Sequence, residues 1–228
     1  MRTTILPSPI GQILPQSLTC LKPNVALCEK GGGVRVELLS VTSDAEALIA
    51  RCARISHRSE GKASPEADRE LVRKLIRWGH ESVLEFAHAV FLIEGISRAC
   101  ANQLTRHRLA SFVQESQRYV DVRDRALIHP PSLKEELWEK ALRLHERARL
   151  LYEELVREGI PKEDARYVLP IGTETRLVMC ANFRELRHII RLRGSKAAQW
   201  EIREVARRIL ELMRKEAPSV FYDLEVEA

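Results

Sequence analysis

The sequence predicts one α+β domain in which helices outnumber strands. Apolar residues recur at spacings of three and four over several long segments, which is typical of amphipathic helices. Short segments with strand character lie between them, without the regular β-α-β alternation of a doubly wound sheet. The chain has 228 residues, of which 45% are hydrophobic and 30% charged, and this length can bury a core without disulfides. No segment approaches about 18 consecutive apolar residues, which argues against a membrane-spanning protein.

In the first half of the domain, strands and helices are marked by alternation and by capping residues. Apolar residues at every second position predict the first strand. Proline at the start and glycine at the end delimit the second helix. The expected elements are a strand at 34–41, a helix from Ser43 or Asp44 to Arg54, a helix from Pro65 to Gly79, a strand at 87–95 and a helix at 97–105. The expected inward residues of the two earlier helices are Ala47, Leu48 and Cys52, and Leu71, Leu75 and Trp78.

The second half begins with a polar stretch, 106–125, for which no regular element is predicted. The clearest helix of the chain follows at 132–158, because leucines and alanines form an apolar stripe along it. That stripe consists of Leu133, Leu137, Ala141, Leu144, Ala148, Leu151 and Leu155. The remaining expected elements are a short helix after Pro161, a strand at 177–181, a helix at 182–193 that begins with a capping box, and a helix at 197–216.

Residues 1–33 differ in composition from residues 34–228, which we take as the domain. The segment is rich in proline and glycine yet still apolar, so an extended arm, a disordered extension and an over-long translation start all remain open. Five scattered cysteines without a C-x-x-C pair argue against a disulfide framework or structural zinc. Since no secretion signal is evident either, we expect a cytoplasmic protein.

The positive charge is dominated by arginine, with 28 arginines against 9 lysines and a formal net charge of +5. Codon bias explains such a ratio as readily as function does. The densest polar segment, 106–119, holds three arginines, one histidine, two serines, two glutamines and one glutamate. Convergent arginine and serine donors suit a phosphate or an anionic heterocycle. An exposed structural loop and an RNA-binding strip are the alternatives.

Several sequence blocks occur together in a recognisable order. Arg106-His107-Arg108, seven further residues and Ser116 form the pattern R-H-R-x7-S. The blocks around it are Ala53-Arg54-Ile55-Ser56, Gly79-His80-Glu81-Ser82 with Glu85, Ala165-Arg166-Tyr167-Val168-Leu169-Pro170, Asn182-Phe183-Arg184, and Leu192-Arg193 with Ala198-Gln199-Trp200-Glu201-Ile202. From about Val34 to Ala217 the chain thereby resembles the flavin-dependent thymidylate synthase family.

This resemblance implies an enzyme that methylates dUMP to dTMP. Methylenetetrahydrofolate would supply the carbon, and FAD reduced by NADPH would supply the hydride. The family's fold is α+β, with helices packed around an antiparallel sheet, and its flavin sites lie between the subunits of a homotetramer. Neither a nucleic acid nor a membrane is an expected partner.

The resemblance also implies which residues form the site. The implied FAD contacts are His80, Ser82, Arg106, His107, Arg108, Gln114, Asn182, Phe183, Arg184 and His188. The implied dUMP contacts are Gln103, Leu104, Thr105, Arg106, Gln114, Glu115, Ser116, Gln117, Arg118, Arg166 and Arg193.

Arg193 is the implied catalytic residue, since the matching arginine of the family lies beside the uracil edge. A permanent cation there lowers the cost of negative charge that develops at N3. Ser116 is not an expected nucleophile, because no His–Asp relay for it is evident. Phe86 departs from the family pattern, in which many members have a histidine that can donate a hydrogen bond.

The residues also bear on two alternative functions and on a possible metal site. RNA binding fits the arginine excess, but it expects aromatic stacking platforms, and only Phe112 and Tyr119 lie near the polar segment. A flavoprotein reductase without dUMP chemistry would not need the implied dUMP contacts. No pair of histidines or carboxylates has metal-ligand spacing, so no metal is expected.

Overall fold

The computed structural model describes residues 33–227 and confirms an α+β domain. The expected N-terminal arm, 1–33, lies outside this range except for Gly33. Within the described range the strands are β1 (Arg35–Val41), β2 (His88–Ser97), β3 (Ser111–Gln114) and β4 (Glu174–Asn182). The helices are α1 (Ala45–Ile55), α2 (Pro65–Arg77), α3 (Arg98–Leu104), α4 (Glu135–Arg157), α5 (Lys162–Ala165), α6 (Phe183–Arg193), α7 (Trp200–Glu216) and α8 (Pro218–Phe221). Short 3₁₀ turns lie at Glu60–Lys62, Glu81–Phe86 and Arg166–Val168.

The four strands form one antiparallel sheet in the order β1-β2-β4-β3. The two central strands, β2 and β4, place Ala89 opposite Ala181 and Ile93 opposite Leu177. Their register shifts between Ile93 and Ile96, where Gly95 has φ +68°, a left-handed conformation that glycine adopts without strain. This irregularity immediately precedes Ser97, whose hydroxyl caps α3.

Most of the buried apolar side chains belong to one core between the sheet and its helices. Phe91, Met179 and Ile209 are fully buried in it and come from β2, β4 and α7. A smaller cluster around Tyr152 joins α4 to α5. In residues 33–227, no helix has the length and apolar character needed to cross a bilayer.

The expected order of elements is confirmed, with two omissions, strand β3 and the four-residue helix α8. Strand β3 lies within the polar stretch for which no element was predicted. It has four residues at the sheet edge, and two of them, Ser111 and Gln114, are polar, so its alternation is too short to stand out. This strand divides the polar stretch into a part before it and a part after it.

Several inward faces were predicted wrongly. Helix α1 packs on α2 and buries Ala45, Ile49 and Ala50. It is therefore rotated about its axis relative to the prediction, which placed Ala47 on the inward face. Trp78 is 58% exposed, since it follows the last turn of α2 and lies against Lys74. The leucine stripe of α4 is also partly outward, and the helix instead buries His145 and Tyr152, on the flank of the stripe. Exposed on this stripe are Leu137, Leu144 and Leu151.

Candidate active site

A cavity of about 840 Å³ opens beside the junction of β4 and α6. Its other walls come from the segment between α3 and β3 and from the Glu81–Phe86 turn. Cavities of this size hold cofactor-sized ligands. The lining residues are Glu81, Glu85, Arg106, His107, Arg108, Leu109, Asn182, Arg184, Glu185, His188, Arg191, Leu192 and Arg193.

Helix α6 supplies much of this wall because of where it begins. The Asn182 side chain accepts a hydrogen bond of 2.8 Å from the main-chain N–H of Glu185 and so caps the helix. From this start, Arg184, His188 and Arg191 follow at the spacing of one helical face, and all three line the cavity. The N-terminal turn of α6 adds positive potential from the helix dipole.

Arginines outnumber glutamates among the lining residues by five to three. Arg184 and Arg191 each form an ion pair with a glutamate of the Glu81–Phe86 turn. Arg106 and Arg108 are exposed and have no hydrogen-bond or ion-pair partner within residues 33–227. Two unpaired guanidinium groups at the mouth of a cavity suit a phosphate-bearing ligand.

A buried hydrogen-bonded chain holds Arg193 in place. Its Nε donates to Nε2 of His107 at 3.0 Å, and its Nη2 donates to the carbonyl oxygen of Gln103 at 3.3 Å. On the other side of the ring, Nδ1 of His107 lies 3.2 Å from Oε1 of Glu185. His107 and Glu185 are only 5% and 4% exposed, so water hardly reaches the hydrogen bond between them.

The electrostatics of this chain favour a neutral imidazole. Burial, together with the charges of Arg193 and His188, lowers the pKa of His107 to about 4. Burial also raises the pKa of the Glu185 carboxyl, an effect that His188 partly opposes. The His107–Glu185 contact at neutral pH is therefore a hydrogen bond from an uncharged ring to Glu185, not an ion pair between two full charges.

A second polar group lies beyond the other end of β3. The Glu115 side chain is almost buried and pairs with Arg125 and with Arg176, the latter at 3.1 Å. Nε of Arg118 donates to Glu163 at 2.6 Å. The main-chain N–H of Arg118 also donates to Oγ of Ser116, at 3.3 Å. This second group is thus held by contacts among its own residues and their neighbours, and not by contacts with the residues that line the cavity.

Three buried donors in this second group have no partner among residues 33–227. They are Nη1 of Arg98, Nε2 of Gln117 and Nε of Arg125. Burial lowers the pKa of Arg98; the charge of Arg166 acts in the same direction and that of Glu115 in the opposite one. Since unpaired buried donors are costly, they indicate a place where an anion would be stabilised.

The structure thus divides the predicted site residues into two groups at opposite ends of β3. The strand advances about 10 Å between Ser111 and Gln114, and no hydrogen bond or ion pair among the described residues joins the groups. The cavity holds Arg106, His107, Arg108, Asn182, Arg184, His188 and Arg193. At or beyond the other end of β3 lie Gln114, Glu115, Ser116, Gln117, Arg118 and Arg166.

Other predicted contacts lie around the cavity or in the core. The side chains of Phe183 and Leu104 are fully buried, so any contact with a ligand would come from their main chain. Gln103 faces Arg193 through its carbonyl oxygen. His80, Ser82 and Thr105 are exposed and are not among the lining residues. Phe86 is exposed next to Glu85, which pairs with Arg184.

Sequence reasoning missed several lining residues. Arg191 could have been found from its helical spacing to Arg184 and His188. Glu81 lies inside the recognised Gly79–Ser82 block but was given no role. Glu185 was recognised only as part of a capping box, because nothing local shows that its side chain meets His107.

Three side chains, those of His107, Glu185 and His188, offer ligand atoms within 4.8 Å of one another. A metal ion would need a lone pair on the ring of His107. Nε2 accepts the hydrogen bond from Arg193, so Nδ1 carries the proton and the neutral ring has no lone pair left. These contacts fit a hydrogen-bonded chain better than a metal site.

The described cysteines show no sign of nucleophilic activation. Cys52, Cys100 and Cys180 are free thiols. Burial, reinforced by Glu201, raises the pKa of the Cys100 thiol far above its ordinary value. A thiolate is the reactive form of cysteine, so Cys100 behaves as a small core side chain.

Comparison with known proteins supports the fold and shows the family. Residues 37–219 match the family described as "Thymidylate synthase complementing protein". A curated "Flavin-dependent thymidylate synthase" of Geobacter sulfurreducens is 40% identical over 203 residues, which cover 83% of this chain and 86% of that protein. A protein of the same name from Thermococcus onnurineus is 39% identical over 190 residues, or 78% of each chain.

A solved structure is similar over most of its length. It is described as a UMP/dUMP methylase PolB from Streptomyces cacaoi bound with 5-Br dUMP. The TM-score is 0.75 at 28% identity, and the match covers 83% of this chain and 93% of that chain. Together with the arginine-lined cavity and the ordered sequence blocks, these matches show that the chain belongs to the flavin-dependent thymidylate synthase family.

Proposed function

We propose that this protein synthesises dTMP by reductive methylation of dUMP, with FAD as cofactor and with NADPH and methylenetetrahydrofolate as co-substrates. The observation that carries the proposal is Arg193, held by two hydrogen bonds at the wall of an arginine-lined cavity. Family membership supports the reaction, and the residues of the cavity fit the ligands.

The cavity fits a flavin dinucleotide in size and in charge. FAD carries two phosphates, and unpaired Arg106 and Arg108 lie next to the positive end of α6. Arg184 and His188 follow along the same helix and could hold further polar atoms of the cofactor. Bound flavin, once reduced, supplies the hydride of the reaction.

Arg193 would act on the pyrimidine. A fixed arginine cation beside the uracil edge stabilises negative charge as it develops at N3. Loss of the N3 proton makes C5 of the ring nucleophilic towards the incoming carbon. The shielded surroundings of His107 strengthen this electrostatic effect, because fixed charges act over a low local dielectric.

The second polar group would hold the nucleotide. Nη1 of Arg98 is a buried donor without a partner in residues 33–227, and the charge of Arg166 acts on the same guanidinium group, so both would stabilise a phosphate monoester here. Ser116 and Gln117 are close in sequence and supply additional hydroxyl and amide donors. This assignment adds Arg98 to the dUMP contacts expected from the sequence.

Separation of the two groups favours sites shared between copies of the chain. If Arg193 and Ser116 contact the same nucleotide, one copy of the chain supplies the cavity and another copy supplies the second polar group. The outward leucine stripe of α4 supports such assembly, since Leu137, Leu144 and Leu151 repeat every seven residues and are 42–63% exposed. We propose a homotetramer with shared sites.

Subunit mixing tests this arrangement. Arg166→Ala and Arg193→Ala proteins should each be inactive, and co-refolding them in equal amounts should restore activity, because about a quarter of the shared sites then combine two intact halves. If each site lay within one chain, the mixture would remain as inactive as its components.

The visible spectrum tests the redox half of the function. Purified protein should show oxidised flavin bands that bleach anaerobically with NADPH, and dUMP should change the rate of bleaching. Protein that binds no FAD even after reconstitution would contradict the proposal.

A further inference from the structure

We propose that Glu185 is a positioning residue for Arg193, acting through the imidazole of His107. The inference rests on the proposed role of Arg193 and extends it to a residue that does not itself contact the pyrimidine. The three side chains form one continuous path from Glu185 Oε1 to His107 Nδ1 at 3.2 Å and from His107 Nε2 to Arg193 Nε at 3.0 Å.

The two hydrogen bonds of His107 require the same tautomer, and each partner contributes to it: Arg193 needs an acceptor at Nε2, and Glu185 accepts the proton of Nδ1. A guanidinium group donates and cannot accept, so Nε2 of His107 must present its lone pair. The neutral ring then carries its proton on Nδ1 and donates it to Glu185. In the other tautomer, two N–H groups would face each other across 3.0 Å, and the ring would repel the arginine that it now holds.

The surroundings of His107 and Glu185 favour this pattern of hydrogen bonds. The ring of His107 is neutral at pH 7 because burial lowers its pKa to about 4, and the charges of Arg193 and His188 act in the same direction. The main-chain N–H of Glu185 is bound to Asn182, which fixes the backbone that carries the carboxyl at the start of α6. The side chains of Glu185 and His107 are both buried.

Fixing Nε of Arg193 also fixes the plane of its guanidinium group. Nη2 uses one donor on the carbonyl oxygen of Gln103. Two of the five N–H donors are thus engaged, and Nη1 has no partner in the described part of the chain. The remaining donors project from a fixed group, which is the preorganisation that stabilisation of a developing charge requires.

Two substitutions of Glu185 separate positioning from simple stability. Glu185→Met keeps the length of the side chain and removes the acceptor. Glu185→Gln restores an acceptor oxygen without the charge. Asp68→Asn is the matched control, because Asp68 is also buried, is 8% exposed and pairs with Arg54, yet lies on α2 outside the cavity.

We expect Glu185→Met to lower kcat by about 10- to 100-fold, as loss of a supporting hydrogen bond does at other sites, with KM for dUMP changed by less than about twofold. Glu185→Gln should recover most of kcat, and Asp68→Asn should retain the wild-type kcat per folded protein. Selective ¹⁵N labelling of histidine, with His107 identified by its loss in His107→Asn, should show the proton on Nδ1 in wild type. The Nε2-protonated form should appear in Glu185→Met.

Three results would overturn the proposal: a wild-type kcat in both Glu185 variants, an unchanged His107 tautomer in Glu185→Met, or an equal loss of kcat in Asp68→Asn. If Glu185→Met fails to fold, Glu185→Leu, which also removes the acceptor, is measured in its place, and a wild-type kcat with an unchanged tautomer in that variant again overturns the proposal. A wild-type protein that makes no dTMP would refute the proposed function, whereas the NMR measurement would still report whether Glu185 sets the tautomer of His107.

Discussion

His107 should make the protein less stable as the pH falls, by an amount that follows from its surroundings. In the folded protein its pKa is lowered to about 4, against an ordinary value of 6.5. Between these values the unfolded chain binds a proton at this position and the folded chain does not. The free energy of unfolding therefore decreases as the pH falls through this window.

The size of the effect follows from linkage. At about 1.4 kcal/mol per pH unit, the difference amounts to about 3 kcal/mol in full, of which about 2 kcal/mol is lost between pH 7 and pH 5. His107→Gln should remove this contribution, because glutamine does not titrate, while its amide can still donate to Glu185 and accept from Arg193.

Urea unfolding of flavin-free protein at pH 7, 6 and 5 measures this difference. Both proteins should be compared at one concentration, because assembly shifts the apparent stability. All other titrating groups, including Glu185, are shared, so their contributions cancel to first order. The free energy of unfolding should decrease more steeply in wild type than in His107→Gln. Parallel curves would show that His107 is not held neutral and would refute the reasoning.

Three further substitutions test the roles of individual residues. Arg193→Ala should retain flavin but lose about 2.7–4 kcal/mol of transition-state stabilisation. A dTMP assay should show this loss as a roughly 10²–10³-fold lower kcat. An unchanged kcat would refute the catalytic role of Arg193. Ser116→Ala should raise KM for dUMP while the flavin spectrum stays intact, and loss of flavin instead would show that the two groups are wrongly divided. Cys100→Ala combined with Cys180→Ala should leave kcat unchanged, because Cys100 is a buried, protonated thiol; a folded but inactive double variant would indicate thiol chemistry.

Local sequence signals predicted most of the elements correctly because those signals are physical. Asn182 caps α6 as its sequence indicated, and the hydroxyl of Ser97 caps α3. Such contacts lie within a few residues, so they can be read from the sequence. Strand β3 was missed because its pairing with β4 is non-local and its four residues carry little alternation.

Helix rotation was harder to predict, since it depends on the partner surface. The leucine stripe of α4 predicted an inward face, but Leu144 is 63% exposed and Tyr152 is buried instead. Periodicity identifies a stripe without saying whether the same chain or another copy covers it.

Only part of the candidate site could be predicted from the sequence. The resemblance pointed to Arg193 and to the residues around it, and the cavity brings these together. It gave no reason to connect Glu185 with His107, which is 78 residues away. That contact exists only because the start of α6 folds against the segment before β3, which a linear motif does not record.

Formation of dTMP is the measurement that tests the central claim most directly. Purified protein would be given dUMP tritiated at C5, together with FAD, NADPH and methylenetetrahydrofolate, and both tritium release and dTMP would be quantified. The account predicts equal amounts of released tritium and dTMP, with both lost when NADPH or methylenetetrahydrofolate is omitted, or when FAD is withheld from flavin-depleted protein. Flavin-loaded protein that releases no tritium and makes no dTMP would contradict it, and salt-dependent RNA binding would then be the alternative to measure.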